Sequence, residues 1–211
     1  PYPGALGQVE RLARRQPDIA ALPFHRQPDV PVARDDARSE RLRGPGDLPA
    51  RVVGVDAAER NVKTAAAHAV ETGTPVDYRA TTAEALAASG ERFDVVLAME
   101  VIEHVADVDL FVKSCADLLA PGGVLFLATL NRTPKSFALA IVGAEYILRW
   151  MPRGTHNWRQ FLRPSEMAAA VRAHGLAIRD LTGVTYNPLL DEFKLNPRDL
   201  DVNYMAWAER V

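Results

Sequence analysis

The segment that most constrains this chain is Phe93-Asp94-Val95-Val96-Leu97-Ala98-Met99, followed at once by Glu100, Glu103 and His104. A short apolar run rich in β-branched residues suits a strand buried on both faces of a parallel sheet. This run ends in two carboxylates and an imidazole, and open α/β sheets bind ligands at the carboxyl ends of their strands. A second run, Arg51-Val52-Val53-Gly54-Val55-Asp56, also closes on an acid. Around these two, strands and helices alternate. An Ala-rich helix over 59–72 is stopped by Gly73, a short strand falls at 76–79, and a helix over 82–88 is broken by Gly90. A helix over 108–119 then precedes the turn Pro121-Gly122-Gly123 and a strand over 124–129. The alternation predicts an α/β fold with a mostly parallel sheet and crossover helices on both faces.

Beyond this core lies an insertion at 131–161 that interrupts the alternation. Phe137, Leu139, Ile141, Val142, Tyr146, Ile147, Leu148, Trp150 and Met151 are mixed there with Lys135, Arg149 and Arg153. Such a stretch is core, a lid, or a surface for a lipid interface, and periodicity alone does not choose. A helix opened by Pro164 then runs over 165–174 to Gly175, and closing strands are expected at 176–182 and 202–209.

Residues 1–49 have a different character. They are crowded with Arg, Pro, Asp and Gly, and only a short helix at 7–15 is suggested locally. The composition changes abruptly at Ala50, so the expected organisation is an irregular segment at 1–49 and one domain at 50–211. The whole chain has 48% hydrophobic and 25% charged residues and a net charge of −2, which gives no reason to expect a nucleic-acid partner. Cys115 is the only cysteine, which excludes an internal disulfide and favours a reducing compartment. It falls in the apolar pattern Leu110, Val112, Cys115, Leu118, Leu119 and reads as core. No apolar run reaches the roughly 20 residues a spanning helix needs.

Two sites stand out. Asp56, at a strand end, has the two acceptor oxygens that suit a ribose diol; alternatively Asp56 to Glu59 is a capping box for the next helix. Glu100, Glu103 and His104, at spacings i, i+3 and i+4, share one face if a helical turn starts at the strand end. That face would hold a divalent cation or supply a general base, or else it is a first helical turn favoured by the macrodipole.

The order of acid-ended strand, Phe93–His104 segment and Leu118-Leu119-Ala120-Pro121-Gly122-Gly123 turn resembles the class I S-adenosylmethionine-dependent methyltransferases with their Rossmann-like fold. Within them, Thr129-Leu130-Asn131-Arg132, Lys135-Ser136, Gly143-Ala144-Glu145-Tyr146, Gly154-Thr155-His156, Arg163-Pro164-Ser165-Glu166, Tyr186-Asn187-Pro188 and Asp201-Val202-Asn203-Tyr204-Met205 resemble the O-methyltransferases of ubiquinone biosynthesis. The resemblance implies methyl transfer from S-adenosylmethionine to a hydroxyl of a polyprenylated phenol or catechol. It gives Asp56 and Met99 to the cofactor and Glu100, Glu103 and His104 to a divalent metal, magnesium, with His104 and Glu103 as the catalytic pair. It also implies a peripheral contact with the inner membrane through about 133–154, on the cytoplasmic side in a bacterium or the matrix side in a mitochondrion. Other proteins of the same pathway would be partners. One departure is serious: the family has a first strand and a Gly-x-Gly-x-Gly loop ahead of the acid-ended strand. Here only Gly44-Pro45-Gly46 precedes it, as if a shifted reading frame had replaced the segment. The expectation is that the central first strand is lost, and the alternative to an enzyme is a non-catalytic remnant with a membrane- or partner-binding surface.

Overall fold

A computed structural model describes residues 19–21, 51–149, 152–187 and 192–211. Eight strands form one sheet: β1 (Ile19–Ala21), β2 (Val52–Asp56), β3 (Asp77–Ala80), β4 (Phe93–Met99), β5 (Leu119–Leu130), β6 (Leu176–Asn187), β7 (Glu192–Asn196) and β8 (Asn203–Arg210). Their order is β3-β2-β1-β4-β5-β8-β6-β7, with β1 to β5 parallel and β8, β6 and β7 antiparallel. Helices α1 (Glu59–Thr72), α2 (Ala83–Ala88) and α3 (Val108–Asp117) connect the parallel strands. The chain moves outward from β2 to β3 and then returns across the sheet to β4. Right-handed crossovers therefore put α1 and α2 on opposite faces.

Local chemistry sets the boundaries. The Thr82 hydroxyl accepts the N–H of Ala85 at 3.2 Å, and the Asp107 carboxylate accepts that of Leu110 at 3.0 Å, so each caps a helix start. Gly73 ends α1 at φ 65°. The core lies between the sheet and the α2–α3 layer, with Phe93, Val96, Ile102, Val112, Leu118 and Leu125 fully or almost fully buried. Cys115 is within it, and burial pushes its thiol well above the ordinary range, as a core role requires.

Three expectations are corrected. The central first strand is present: Ile19-Ala20-Ala21 pairs with Val52-Val53-Gly54 on one side and Val95-Val96-Leu97 on the other. Three residues inside an Arg- and Pro-rich stretch are too few for any periodicity, yet the slot between two parallel edges takes them, and Ala20 is fully buried. Pro121-Gly122-Gly123 is a bulge inside β5 and not a turn before it. Two steps along β4, from Phe93 to Val95, face five along β5, from Leu119 to Val124, with Gly122 at φ 78°. A Cβ on Gly123 would meet the Phe93 carbonyl oxygen at 2.9 Å, so only glycine fits there. Finally, β6 runs on to Asn187 and pairs with β7, an edge strand whose Phe193 and Leu195 are exposed and so carry no burial pattern. The suggested helix at 7–15 and Gly44-Pro45-Gly46 lie outside the described residues, as do Trp150 and Met151.

After β5 the insertion starts with α4 (Pro134–Ser136), held by a capping box in which Thr133 and Ser136 exchange side-chain and backbone bonds. It continues as a π-helix (Phe137–Ile147), and then a 3₁₀ turn (Trp158–Gln160) leads to α5 (Pro164–Ala173). Lys135 binds Asp199 at 3.0 Å and Asp201 at 3.3 Å, Asn131 donates to the Leu200 carbonyl at 2.7 Å, and Trp158 Nε1 donates to the Thr133 carbonyl at 3.0 Å. The insertion is thereby fixed to the carboxyl side of the sheet beside β8.

Candidate active site

Register puts the predicted residues at one edge. Asp56 lies two positions beyond Gly54 and Met99 two beyond Leu97, and both of those pair with Ala21. They flank the carboxyl end of β1, where the strand order reverses, the place at which doubly wound sheets bind nucleotides. Asp56 is half-buried. Its Oδ1 accepts the Ala58 N–H at 2.7 Å and its Oδ2 the Asn61 amide at 3.0 Å. The helix cap is Ala58, with no side-chain bond, so Asp56 does not form the expected capping box. A carboxylate has about four acceptor positions, which leaves room for two ribose hydroxyls.

At the end of β4 the chain does not enter a helical turn. Glu100 adopts φ 54°, its N–H donates to the Ala128 carbonyl at 2.9 Å, and the next residues form a tight turn closed by His104 N–H on the Val101 carbonyl at 2.8 Å. Left-handed backbone at a glutamate is strained and aims its side chain where a strand or helix would not. The Glu100 carboxyl meets Glu103, which is 2% exposed. Burial first, and the Glu103 carboxyl second, push Glu100 up to about 8. Burial also raises Glu103, opposed by hydrogen bonds from its own backbone, from Thr129 and from Glu100. Thr129 Oγ1 donates to Glu103 Oε2 at 2.8 Å, whereas Glu103 Oε1 is buried with no hydrogen-bond partner. Two acids sharing one pocket behave as a proton-holding pair.

His104 faces the insertion. Its ring centroid lies 5.8 Å from that of His156, whose ring also meets Phe161 edge-on at 5.9 Å. His156 is held by Glu145, which is 1% exposed although it sits in a strongly apolar helix. Glu145 Oε2 accepts the Gly154 N–H at 2.7 Å; its Oε1 accepts the His156 backbone N–H at 2.9 Å and lies 3.0 Å from His156 Nδ1. Tyr204 closes the floor: it is fully buried, its hydroxyl donates to the Leu162 carbonyl at 3.1 Å, and burial with the charge of Glu103 pushes its phenol upward.

The structure thus joins Glu100 to Glu103, sets His104 against His156, and leaves Asp56 and Met99 on the neighbouring edge. Among the described residues, no three His, Cys, Asp or Glu side chains form a ready-made metal cluster. Thr129, Glu145 and His156 carried no assigned role in the sequence. The available signal was Glu145 itself, since a lone carboxylate in an apolar run must find several donors to be buried.

Comparison with known proteins follows this geometry. A family described as "Methyltransferase domain" matches residues 37–127. The ubiquinone biosynthesis O-methyltransferase of Parvibaculum lavamentivorans is 60% identical over 164 residues, covering 78% of this chain and 64% of that protein. The protein of the same name from Brucella anthropi is 50% identical over 208 residues, covering 95% of this chain and 83% of the relative. The chain spans 64% of the length of the Parvibaculum relative and of a similar one from Chelativorans. Among solved structures, the magnesium protoporphyrin IX methyltransferase of Synechocystis with bound SAH has a TM-score of 0.58 at 16% identity, covering 98% of this chain and 79% of that one. A structure on the conversion of a disulfide bond into a thioacetal group during echinomycin biosynthesis has a TM-score of 0.61 at 14% identity, covering 100% and 82%. At such identities these share the class I methyltransferase fold.

Proposed function

This chain belongs to the ubiquinone biosynthesis O-methyltransferases, and from that membership we propose that it transfers a methyl group from S-adenosylmethionine to a hydroxyl of a polyprenylated catechol or hydroquinone. The observation that carries the reading is the pair of half-buried Glu100 and buried Glu103 beside His104 at the carboxyl edge of β4, across β1 from Asp56. Asp56, with acceptor positions to spare, would hold the cofactor ribose, and Met99 would lie against the cofactor. S-adenosylmethionine, when bound, supplies a sulfonium methyl group: the S–CH₃ bond breaks as the O–CH₃ bond forms, and S-adenosylhomocysteine leaves.

The attacking phenol has a pKa of about 10 and must lose its proton to be an effective nucleophile. His104 and Glu103 are the groups in reach of that task, His104 as acceptor and Glu103 through its unpartnered Oε1. Burial holds the proton of Glu100 up to about 8, while the Thr129 hydroxyl donates to Glu103 and opposes the effect of burial there. Glu100, Glu103 and His104 would also hold a divalent cation, magnesium, once Glu100 gives up its proton and the three side chains draw together, since as they stand they form no metal cluster. The orphaned, buried Oε1 of Glu103 suits a cation, and such an ion supplies Lewis acidity toward a catechol oxygen.

The substrate class implies a lipid environment. No helix among the described residues is long and apolar enough to cross a membrane. Phe137, Leu139, Tyr146, Ile147 and Leu148 are nevertheless exposed along and just after the π-helix, with Arg149 and Arg153 next to them, which supports a peripheral membrane contact; the membrane would be the inner one, met from the cytoplasm in a bacterium or the matrix in a mitochondrion. Other enzymes of the pathway would meet it there.

A second reading is favoured by one specific feature. Between Ala21 and Val52 the only glycines are Gly44 and Gly46, so the chain lacks the family's glycine-rich cofactor loop and would be a binding remnant. Calorimetric titration with S-adenosylmethionine separates the two. Micromolar binding with methyl transfer to a short-tailed catechol supports the enzyme, and absence of heat at millimolar cofactor supports the remnant. In the active protein Glu103→Gln should lower turnover at least about a hundredfold and leave cofactor affinity within about twofold. Unchanged turnover would remove Glu103 from the mechanism.

A further inference from the structure

The Glu145–His156 pair has the geometry of an orienting device. Both Glu145 oxygens accept backbone N–H groups, which can only donate: Oε2 from Gly154 at 2.7 Å and Oε1 from His156 at 2.9 Å. With Glu145 ionised, both of its oxygens accept, and the His156 Nδ1 that lies 3.0 Å from Oε1 donates to it. A neutral imidazole with hydrogen on Nδ1 has its lone pair on Nε2, on the side of the ring away from Glu145. The ring is 9% exposed and lies in the wall of an open groove of about 570 Å³ with Phe137, Ile141, Val142, Tyr146 and Trp158. The same ring meets that of His104, which does not itself line the groove. The groove is mainly apolar, with Asn157 and Arg159 also in its wall, and His156 stands in it as an oriented acceptor.

Resting on the functional reading above, we infer that His156 orients the phenolic substrate by accepting a hydrogen bond from one of its hydroxyls at Nε2, and that Glu145 is the positioning residue that fixes the tautomer and angle of that ring. The alkyl or prenyl part of the ligand lies along the π-helix, and the ring hydroxyl reaches His156 before it reaches His104. The acid in the lipid-facing helix is thus tied to recognition of the aromatic head. A site built around one oriented acceptor prefers a free hydroxyl to its methyl ether at that position, because the ether has no hydrogen to give.

The test uses the full chain with ¹⁵N-labelled histidine and a catechol bearing one isoprene unit. The His156 resonances should show the Nδ1–H tautomer, and saturating catechol should shift Nε2 in the wild type and not in Glu145→Gln. His156→Asn places an amide N–H where Nδ1–H was, so it keeps the bond to Glu145 and the fold while removing the acceptor. It should lower kcat/KM for the catechol at least about tenfold without changing S-adenosylmethionine affinity. His156→Gln, which keeps a polar atom near Nε2, should recover part of that loss. An Nε2 resonance that stays fixed while other site resonances saturate, a wild type that does not bind the catechol, or a His156→Asn variant with wild-type kcat/KM each overturns the inference. A wild type that binds catechol with the Nε2 shift but transfers no methyl group overturns the methyltransferase reading and leaves the orienting role standing.

Discussion

Glu100 concentrates the chemistry of the site in one residue. Its φ of 54° breaks the strand so that its carboxyl meets that of Glu103, and burial then pushes it up to about 8. The linkage sign follows. The unfolded chain releases this proton near 4.5 and the folded protein holds it until about 8, so between those values the unfolded state binds fewer protons. The metal-free protein should therefore lose stability as pH rises from about 4.5 to 8, by on the order of 2 kcal/mol once partial exposure is discounted. Denaturant titrations in a chelator should record that decline in the wild type and a flatter profile in Glu100→Gln; parallel profiles would remove Glu100 as its source. At this scale the acids were legible because they follow directly on a strand. Glu145 and His156 were not, because their meeting depends on the width of a π-helix and on a loop that returns across it, and neither leaves a sequence period.

The π-helix has a divided allegiance. Glu145 faces inward and binds the Gly154–His156 segment, while Leu139 and Ile147, 54% and 70% exposed, face outward. Its backbone bonds reach five residues back, as in Leu148 N–H to the Gly143 carbonyl at 2.8 Å, which widens the turn. The proposed membrane contact belongs to this outer surface. The double variant Leu139→Asp, Ile147→Asp should lower co-sedimentation with anionic phospholipid vesicles at least about tenfold and leave circular dichroism unchanged. Equal vesicle binding would move the contact elsewhere. Among the other elements, α1, α2 and α5 were readable from glycine stops and Pro164, and α3 from its apolar pattern, because those signals are local. The bulge in β5 and the edge strand β7 were not: a bulge is defined by its partner strand, and an edge buries too little to write a pattern.

Across the whole molecule, the alternation of strand and helix from Val52 onward was enough to imply a parallel sheet, since each crossover is constrained in hand and length. It did not reveal β1, whose three residues owe their conformation to the strands on either side. That short strand has a mechanical consequence. Among the described residues, the β2–α1–β3 portion pairs with the rest of the sheet through three β1 residues, with ion pairs from Arg51 and Arg79 to Glu91 at its side, and no residue of α1 is buried. The strands from β4 to β8 are instead paired over much longer registers. Native-state hydrogen exchange should find amides of β2 and β3 exchanging at least about tenfold faster than those of β4, β5 and β8; uniform protection would show the sheet opening as one unit. That outcome would put Asp56 on the portion that opens first, and Glu103, Thr129 and Tyr204 on the portion that stays closed. Any ligand spanning both meets a protein that is competent only while the seam is shut, so its apparent affinity is reduced by the closed fraction, and a substitution in β1 that touches no ligand should alter binding as strongly as one in the pocket.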